Sequence, residues 1–237
     1  MRTSPSPAVL PFVLAAAVLL PLFWRREHGA IDPILRPGLL GTRATRLACA
    51  FAFGSGMGEA GLVFMPALAI VALSVTKAAA SFLLLPVVAA VGIGAPLSGL
   101  ALDRFGNRPV IFGGLGLVGA GLAVLAETAN TRLGFHAGGV LLGLGLTTLL
   151  GAPVRAIFLA AAGPDERVAS QAAFNVFASA GRLSSAALVG AVTASGGGSL
   201  AGYETAYGAL AGIMGVLAAL ALALPRRSAA RIPETSA

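Results

Sequence analysis

The chain has 237 residues, of which 57% are hydrophobic and 11% are charged, and its mean hydropathy is +0.90. A soluble domain carries about a quarter of its residues as charges, so the composition excludes an ordinary soluble protein and indicates a membrane protein. The formal net charge of +7 comes from 15 Arg and one Lys against nine acidic residues. Basic residues of membrane proteins concentrate in cytoplasmic loops, so this charge indicates topology and not a nucleic-acid partner.

Reactive side chains give no sign of catalysis. The single cysteine, Cys49, lies inside an apolar run, so the chain alone cannot form a disulfide framework or a Cys-based metal site. No hydrolytic or redox grouping of side chains is visible. The sequence therefore predicts neither an enzyme nor a cofactor or metal site.

Apolar runs long enough to cross a membrane recur along the chain. A spanning helix needs about 20 apolar residues, and seven runs approach or exceed that length. They lie at about residues 8–24, 46–73, 78–102, 109–126, 135–162, 167–194 and 205–224. We therefore predict an all-α membrane protein with seven transmembrane helices, which pack closely through small residues such as the 32 glycines.

The first run differs from the other six in its flanks. Trp24 and two arginines follow it directly, as expected for a membrane anchor, although the run is also short enough for a cleaved signal peptide. We expect an extra transmembrane helix at residues 1–24 and a basic, proline-containing cytoplasmic linker at 25–45. A six-helix bundle at 46–224 and a cytoplasmic tail at 225–237 follow.

Every second loop is rich in basic residues. Most of them lie in residues 25–46, 103–108, 163–167 and 225–237. The positive-inside rule places these segments in the cytoplasm and the amino terminus outside. The three helices before residues 127–132 and the three after them then start on opposite membrane faces, which is the topology of a 3+3 inverted repeat.

A short charged loop separates the third and fourth runs. In it, Gly99, Asp103, Arg104, Gly106 and Arg108 follow the pattern Gly, three residues, Asp-Arg, one residue, Gly, one residue, Arg. This pattern resembles the signature loop of the major facilitator superfamily of secondary transporters. The chain has Asn before the last Arg, where the superfamily usually has a basic residue.

Further segments resemble the multidrug:proton antiporter branch of that superfamily, and together they cover about residues 20–224. The resemblance implies a fold of two six-helix bundles that rock about a central site. The matching residues are Glu27, Asp32, Pro33 and Arg43 in the linker; Leu83, Pro86, Ala95 and Pro96 before the loop; and Gly143, Gly145, Pro153, Pro164, Arg167, Ser170, Asn175 and Gly181 after it.

Two departures indicate which half of the superfamily fold this chain resembles. First halves usually have an Arg four residues before a Gly in the fourth helix, but here Gly139 stands ahead of Gly143. Antiporter first halves also have a Gly-x-x-x-Gly-Pro pattern in the next helix, and no proline occurs between Pro164 and Pro225. By resemblance, residues 46–224 are the carboxyl-terminal half.

A transporter of this type needs a second bundle. We expect a truncated or split reading frame with a missing amino-terminal half as the cause. The alternative is a true half-transporter that pairs with a second copy of itself or with another chain.

Glu59 lies near the middle of the second run, among several glycines. A carboxylate at that depth is costly unless it is protonated, paired or beside water, and removal from water favours the protonated form. We predict that Glu59 is the proton-coupling residue. The alternative is a permanently neutral Glu that hydrogen-bonds to a neighbouring helix.

Other polar side chains within the runs are candidates for lining the same cavity. Arg182 needs a partner, a cavity or a substrate at its depth, and Glu59 is one candidate partner. Arg155 is close enough to the cytoplasmic end of its run to snorkel. The remaining cavity candidates are Asn175, Gln171, Thr147 and Thr148, although such side chains often only join helices.

The charged loop carries the predicted conformational gate. Asp103 can face a helix amino terminus, and Arg108 can pair with Asp103 or with a lipid phosphate. Gly99 permits close approach of another helix, and Gly106 permits a positive φ. We assign a gating role to these four residues and Arg104; the alternative is a simple topological anchor.

The function predicted from these features is secondary active transport, as proton-coupled export of small amphipathic molecules across the plasma (inner) membrane. The expected partners are the lipid bilayer, a small-molecule substrate and protons. One alternative is a non-transporting remnant or membrane assembly partner. A more distant one is a seven-helix receptor, but a retinal Schiff base needs a Lys in the last helix, and Lys77 lies in a loop.

Overall fold

A computed structural model describes residues 42–161 and 167–224 of the chain. The run at about 8–24, most of the linker at 25–45 and the tail at 225–237 lie outside the described residues. The described ranges contain eight helices: α1 (Arg43–Leu73), α2 (Lys77–Leu83), α3 (Leu85–Phe105), α4 (Asn107–Thr128), α5 (Arg132–Leu150), α6 (Ala152–Ala161), α7 (Arg167–Ser195) and α8 (Leu200–Ala221).

Six segments of the described chain are long and apolar enough to cross a membrane, by length and composition. The six runs predicted between residues 46 and 224 correspond to them one for one. A segment that crosses a membrane needs about 20 mostly apolar residues, and such a run is visible in the hydropathy of the sequence. The segments are Arg43–Leu73, Lys77–Phe105, Asn107–Thr128, Arg132–Ala160, Arg167–Ser195 and Leu200–Ala221.

Two of these segments consist of two helices each. The second is divided between α2 and α3 at Leu84, and Pro86 lies in the first turn of α3. The fourth is divided between α5 and α6 at Gly151, and Pro153 lies in the first turn of α6. Proline fits the first turn of a helix, but it cannot continue the preceding one because it lacks an N–H.

Three of the described helices begin at a threonine cap. The side chains of Thr42, Thr76 and Thr131 each accept a hydrogen bond from a backbone N–H three residues on, at 3.1 to 3.3 Å. Gly106 alone joins α3 to α4, with φ 79° and ψ 177°. Side chains are excluded from this backbone conformation, so the turn requires glycine.

The helices pack in pairs across the bundle. α1 packs along α7, α3 along α5, and α4 along both α5 and α8. A Cβ at Gly121 of α4 would lie 2.7 Å from the Gly138 carbonyl oxygen of α5, so these two backbones are in direct contact. Close backbone approach of this kind supplies the packing that holds helices together in lipid.

A buried hydrogen bond joins α8 to α1. The hydroxyl of Tyr207, a fully buried residue of α8, donates to the Gly61 carbonyl oxygen of α1 at 2.6 Å. Pro66 lies inside α1 just beyond Gly61 and removes one N–H from the helix ladder. Tyr207 therefore joins α8 to α1 close to the place where Pro66 removes one bond from the helix ladder.

Candidate functional site

The backbones of α1 and α7 touch near the middle of both helices. A Cβ at Gly56 would overlap the Ala178 carbonyl oxygen, and a Cβ at Gly181 would overlap the Phe53 carbonyl oxygen. The observed spacing therefore requires glycine at both positions. This crossing brings Glu59, one turn beyond Gly56, close to Arg182, which follows Gly181.

Those two residues form an ion pair. Nη1 of Arg182 lies 3.0 Å from Oε2 of Glu59. The Glu59 side chain is 19% exposed and that of Arg182 is 50% exposed, so the carboxylate is the inner group and the guanidinium the outer one. A single charge at this depth is costly, and pairing offsets part of that cost. The structure thus brings together the two charged residues predicted for the membrane interior.

Polar side chains extend from Arg182 along one face of α7. Gln171, Asn175, Ser179 and Arg182 follow at intervals of four, four and three residues, which places them on one side of a helix. Asn175 and Ser179 are exposed and Gln171 is half-buried. Nη2 of Arg182 lies 3.5 Å from Ser179 Oγ. Ser179 was not predicted from the sequence, although its spacing from Asn175 and Arg182 is the signal that identifies it.

The opposite side of the α1–α7 crossing is apolar. Phe53 and Phe177 lie there, because successive helix residues are rotated by about 100° and both fall on the side away from Glu59 and Arg182. They line an open groove of about 330 Å³ between α1, α7 and α8, together with Cys49, Ala50, Ile213 and Leu217. The polar face and the groove are therefore separate surfaces.

Thr147 and Thr148 contact other helices. Both hydroxyl groups donate to the Leu144 carbonyl oxygen of their own helix, α5, at 2.9 Å. Thr147 lies against Gly94 of α3, and Thr148 lies against Gly114 of α4. These contacts join helices, and the structure does not bring the two threonines to the Glu59–Arg182 pair.

Arg155 lies against α7. Its guanidinium carbon is 4.7 Å from the centroid of the Phe174 ring, a geometry typical of a cation–π contact. Its Nε is buried without a hydrogen-bond partner in the described part of the chain. Arg155 therefore joins α6 to α7 through the Phe174 ring, and its snorkelling to the membrane surface stays a prediction.

The residues of the predicted gate lie at the α3–α4 turn. Asp103 and Arg104 are exposed in the last turn of α3, and Arg108 is half-buried in the first turn of α4. Gly106 has the expected positive φ. A Cβ at Gly99 would meet no atom within 4 Å among the described residues. A helix that approaches Gly99 closely would therefore come from outside the described bundle.

A comparison with protein families bears on this arrangement. The family model of the Major Facilitator Superfamily matches residues 47–237. The chain belongs to the major facilitator superfamily. This match confirms the family that the loop from Gly99 to Arg108 resembles. No curated protein matches the chain.

Membership in this superfamily gives the class of activity. The chain is an integral membrane protein of a transporter family, and it acts in the lipid bilayer on small-molecule substrates. Members of the family are transporters and not enzymes, which is consistent with the prediction of no enzymatic activity.

Proposed function

We propose that the chain is a proton-coupled exporter of small amphipathic molecules and that Glu59 carries the proton. The main support is the Glu59–Arg182 ion pair, which lies midway along two helices long enough to span the membrane. Ionisable side chains at that depth are rare and commonly mark ion or substrate pathways. In this proposal Arg182, Asn175 and Gln171 line the cavity beside Glu59.

Protonation of Glu59 would change the charge balance of the site. It neutralises the carboxylate and removes its attraction for Arg182, the charged side chain that faces it. The guanidinium is then left without a counter-charge, which favours a different arrangement of α7 against α1. A proton that binds one arrangement better shifts the population toward it, and this linkage is what coupled transport requires.

The proposed gate is the loop from Gly99 to Arg108. Its turn consists of Gly106 alone, and the backbone conformation of this residue does not accommodate a side chain. The connection between α3 and α4 is therefore short and rigid. The open space at Gly99 and the exposed charges of Asp103 and Arg104 suit contact with a second bundle. Breaking and forming that contact would accompany the change of conformation.

The proposed architecture is a carboxyl-terminal half of the antiporter branch. In a 3+3 repeat, α1 corresponds to α5, α3 to α7 and α4 to α8. The packing of α1 on α7 then corresponds to the packing of α5 on α3, and the α4–α8 pair corresponds to itself. This pairing supports a 3+3 inverted repeat. The second bundle would be an amino-terminal half or another copy of the chain.

The proposed topology follows the distribution of basic residues. The amino terminus lies outside the plasma membrane and the carboxyl terminus in the cytoplasm.

Reconstitution tests this function. The chain, alone and with a co-reconstituted amino-terminal half, is placed in proteoliposomes under a proton gradient, and movement of rhodamine B is followed by fluorescence. We expect dye movement opposite to proton flow, which Glu59→Gln abolishes. Glu127→Gln, which changes an exposed carboxylate at the end of α4, should preserve it. Absence of gradient-dependent movement in both preparations contradicts the proposal and favours a remnant or an assembly partner.

A further inference from the structure

We propose that the Glu59–Arg182 site selects zwitterionic molecules, in which a cationic and an anionic group lie close together. The inference rests on the proposed function, since it names the substrate class of the same site. It is carried by the pairing, exposure and surroundings of the two charged side chains.

Both members of the ion pair have capacity for another ligand. Nη1 of Arg182 contacts one carboxylate oxygen of Glu59, and Nη2 lies at the longer distance of 3.5 Å from Ser179 Oγ. A guanidinium has further N–H donors, and a carboxylate has a second acceptor oxygen. Half of the Arg182 side chain is exposed, so a ligand can reach the pair from this side.

Charge balance decides which ligand can join the pair. A cation that binds Glu59 beside Arg182 gives the site an uncompensated positive charge. An anion that binds Arg182 beside Glu59 gives the site an uncompensated negative charge. An uncompensated charge is costly in a partly buried site at this depth. A zwitterion adds one charge of each sign, so all four charges remain balanced.

The surroundings also fit an amphipathic zwitterion. Ser179 is exposed beside Arg182 and offers a hydrogen bond to an anionic group, and Asn175 is exposed one turn further along the same face. Val63 lies one turn beyond Glu59, and Leu183 follows Arg182; they are 67% and 73% exposed. These side chains can contact the apolar part of a ligand whose charged groups bind the pair.

Binding of phenylalanine and of two analogues that each lack one of its charged groups tests the inference. Phenylalanine is zwitterionic, phenethylamine is a cation and 3-phenylpropionate is an anion at neutral pH. Isothermal titration calorimetry on the full chain in nanodiscs should show at least tenfold tighter binding of phenylalanine than of either analogue, equivalent to about 1.4 kcal/mol. Glu59→Gln should make 3-phenylpropionate the preferred ligand, and Arg182→Gln should make phenethylamine the preferred ligand.

Matched control variants distinguish an effect at the Glu59–Arg182 site from a general effect of removing a charge. Glu127→Gln and Arg132→Gln change exposed charges at helix ends and should keep the wild-type order of affinities. Equal affinity for the three ligands, no binding of phenylalanine, or an unchanged order in the Glu59 and Arg182 variants overturns the inference. Zwitterion-selective binding without proton-driven dye movement would instead overturn the proposed transport activity alone.

Discussion

Gly181→Ala tests whether backbone contact between α1 and α7 sets the geometry of the ion pair. The added Cβ would overlap the Phe53 carbonyl oxygen and lie 2.8 Å from its carbonyl carbon. Backbone atoms cannot rotate away as a flexible side chain can, so the helices must separate. Overpacking costs up to about 3 kcal/mol, and the better helix propensity of Ala returns about 1 kcal/mol. We therefore expect a net loss of about 2 kcal/mol.

The matched control is Gly190→Ala on the same helix. A Cβ there would meet no atom within 4 Å among the described residues, so the higher helix propensity should stabilise this variant by about 1 kcal/mol. Unfolding of both variants is followed by circular dichroism during titration of mixed micelles with SDS. Equal stability of the Gly181 and Gly190 variants would refute the tight α1–α7 crossing.

Further variants test other parts of the structure by the same unfolding assay. A double-mutant cycle of Glu59→Gln and Arg182→Gln should give a coupling energy of about 1–2 kcal/mol, since the two groups are in contact. Tyr207→Phe should cost about 1 kcal/mol, because a buried hydrogen bond to α1 is lost. Gly106→Ala should cost about 1–3 kcal/mol owing to its positive φ, whereas Gly99→Ala should be neutral or slightly stabilising.

Each of these expectations has a contradicting result. A coupling energy near zero would show that Glu59 and Arg182 act independently. Unchanged stability of Tyr207→Phe would mean that water or another donor replaces the hydroxyl group. Equal effects of the Gly99 and Gly106 variants would contradict the single-residue turn between α3 and α4.

The sequence predicted the described spanning segments but not the breaks within them. Hydropathy depends on the number of apolar residues in a run, and a run that contains Pro86 or Pro153 remains apolar. Whether a proline bends a helix or begins a new one depends on how neighbouring helices satisfy the freed backbone groups. Neighbours are not visible in a local sequence pattern, so the divisions at Leu84 and Gly151 required the structure.

The sequence identified the charged residues of the candidate site but only some of their contacts. Depth in the membrane made Glu59 and Arg182 conspicuous, because charges there are rare. Their pairing depends on the Gly56–Gly181 crossing, which joins parts of the chain that are distant in sequence. In lipid, apolar residues cover every face of a helix, so the spacing of polar residues does not reveal which neighbour each one contacts. The sequence therefore could not show that Thr147 lies against α3.

The most direct test of the central claim is proton release on ligand binding. Rhodamine B is added to the purified chain in nanodiscs in weakly buffered, mildly acidic solution, and the pH is followed with an indicator. If binding requires ionised Glu59, the wild-type chain and Glu127→Gln should release protons in proportion to bound dye, and Glu59→Gln should release none. Equal release by the Glu59 variant, or dye binding by the wild-type chain without proton release, would contradict the assignment of Glu59 as the coupling residue.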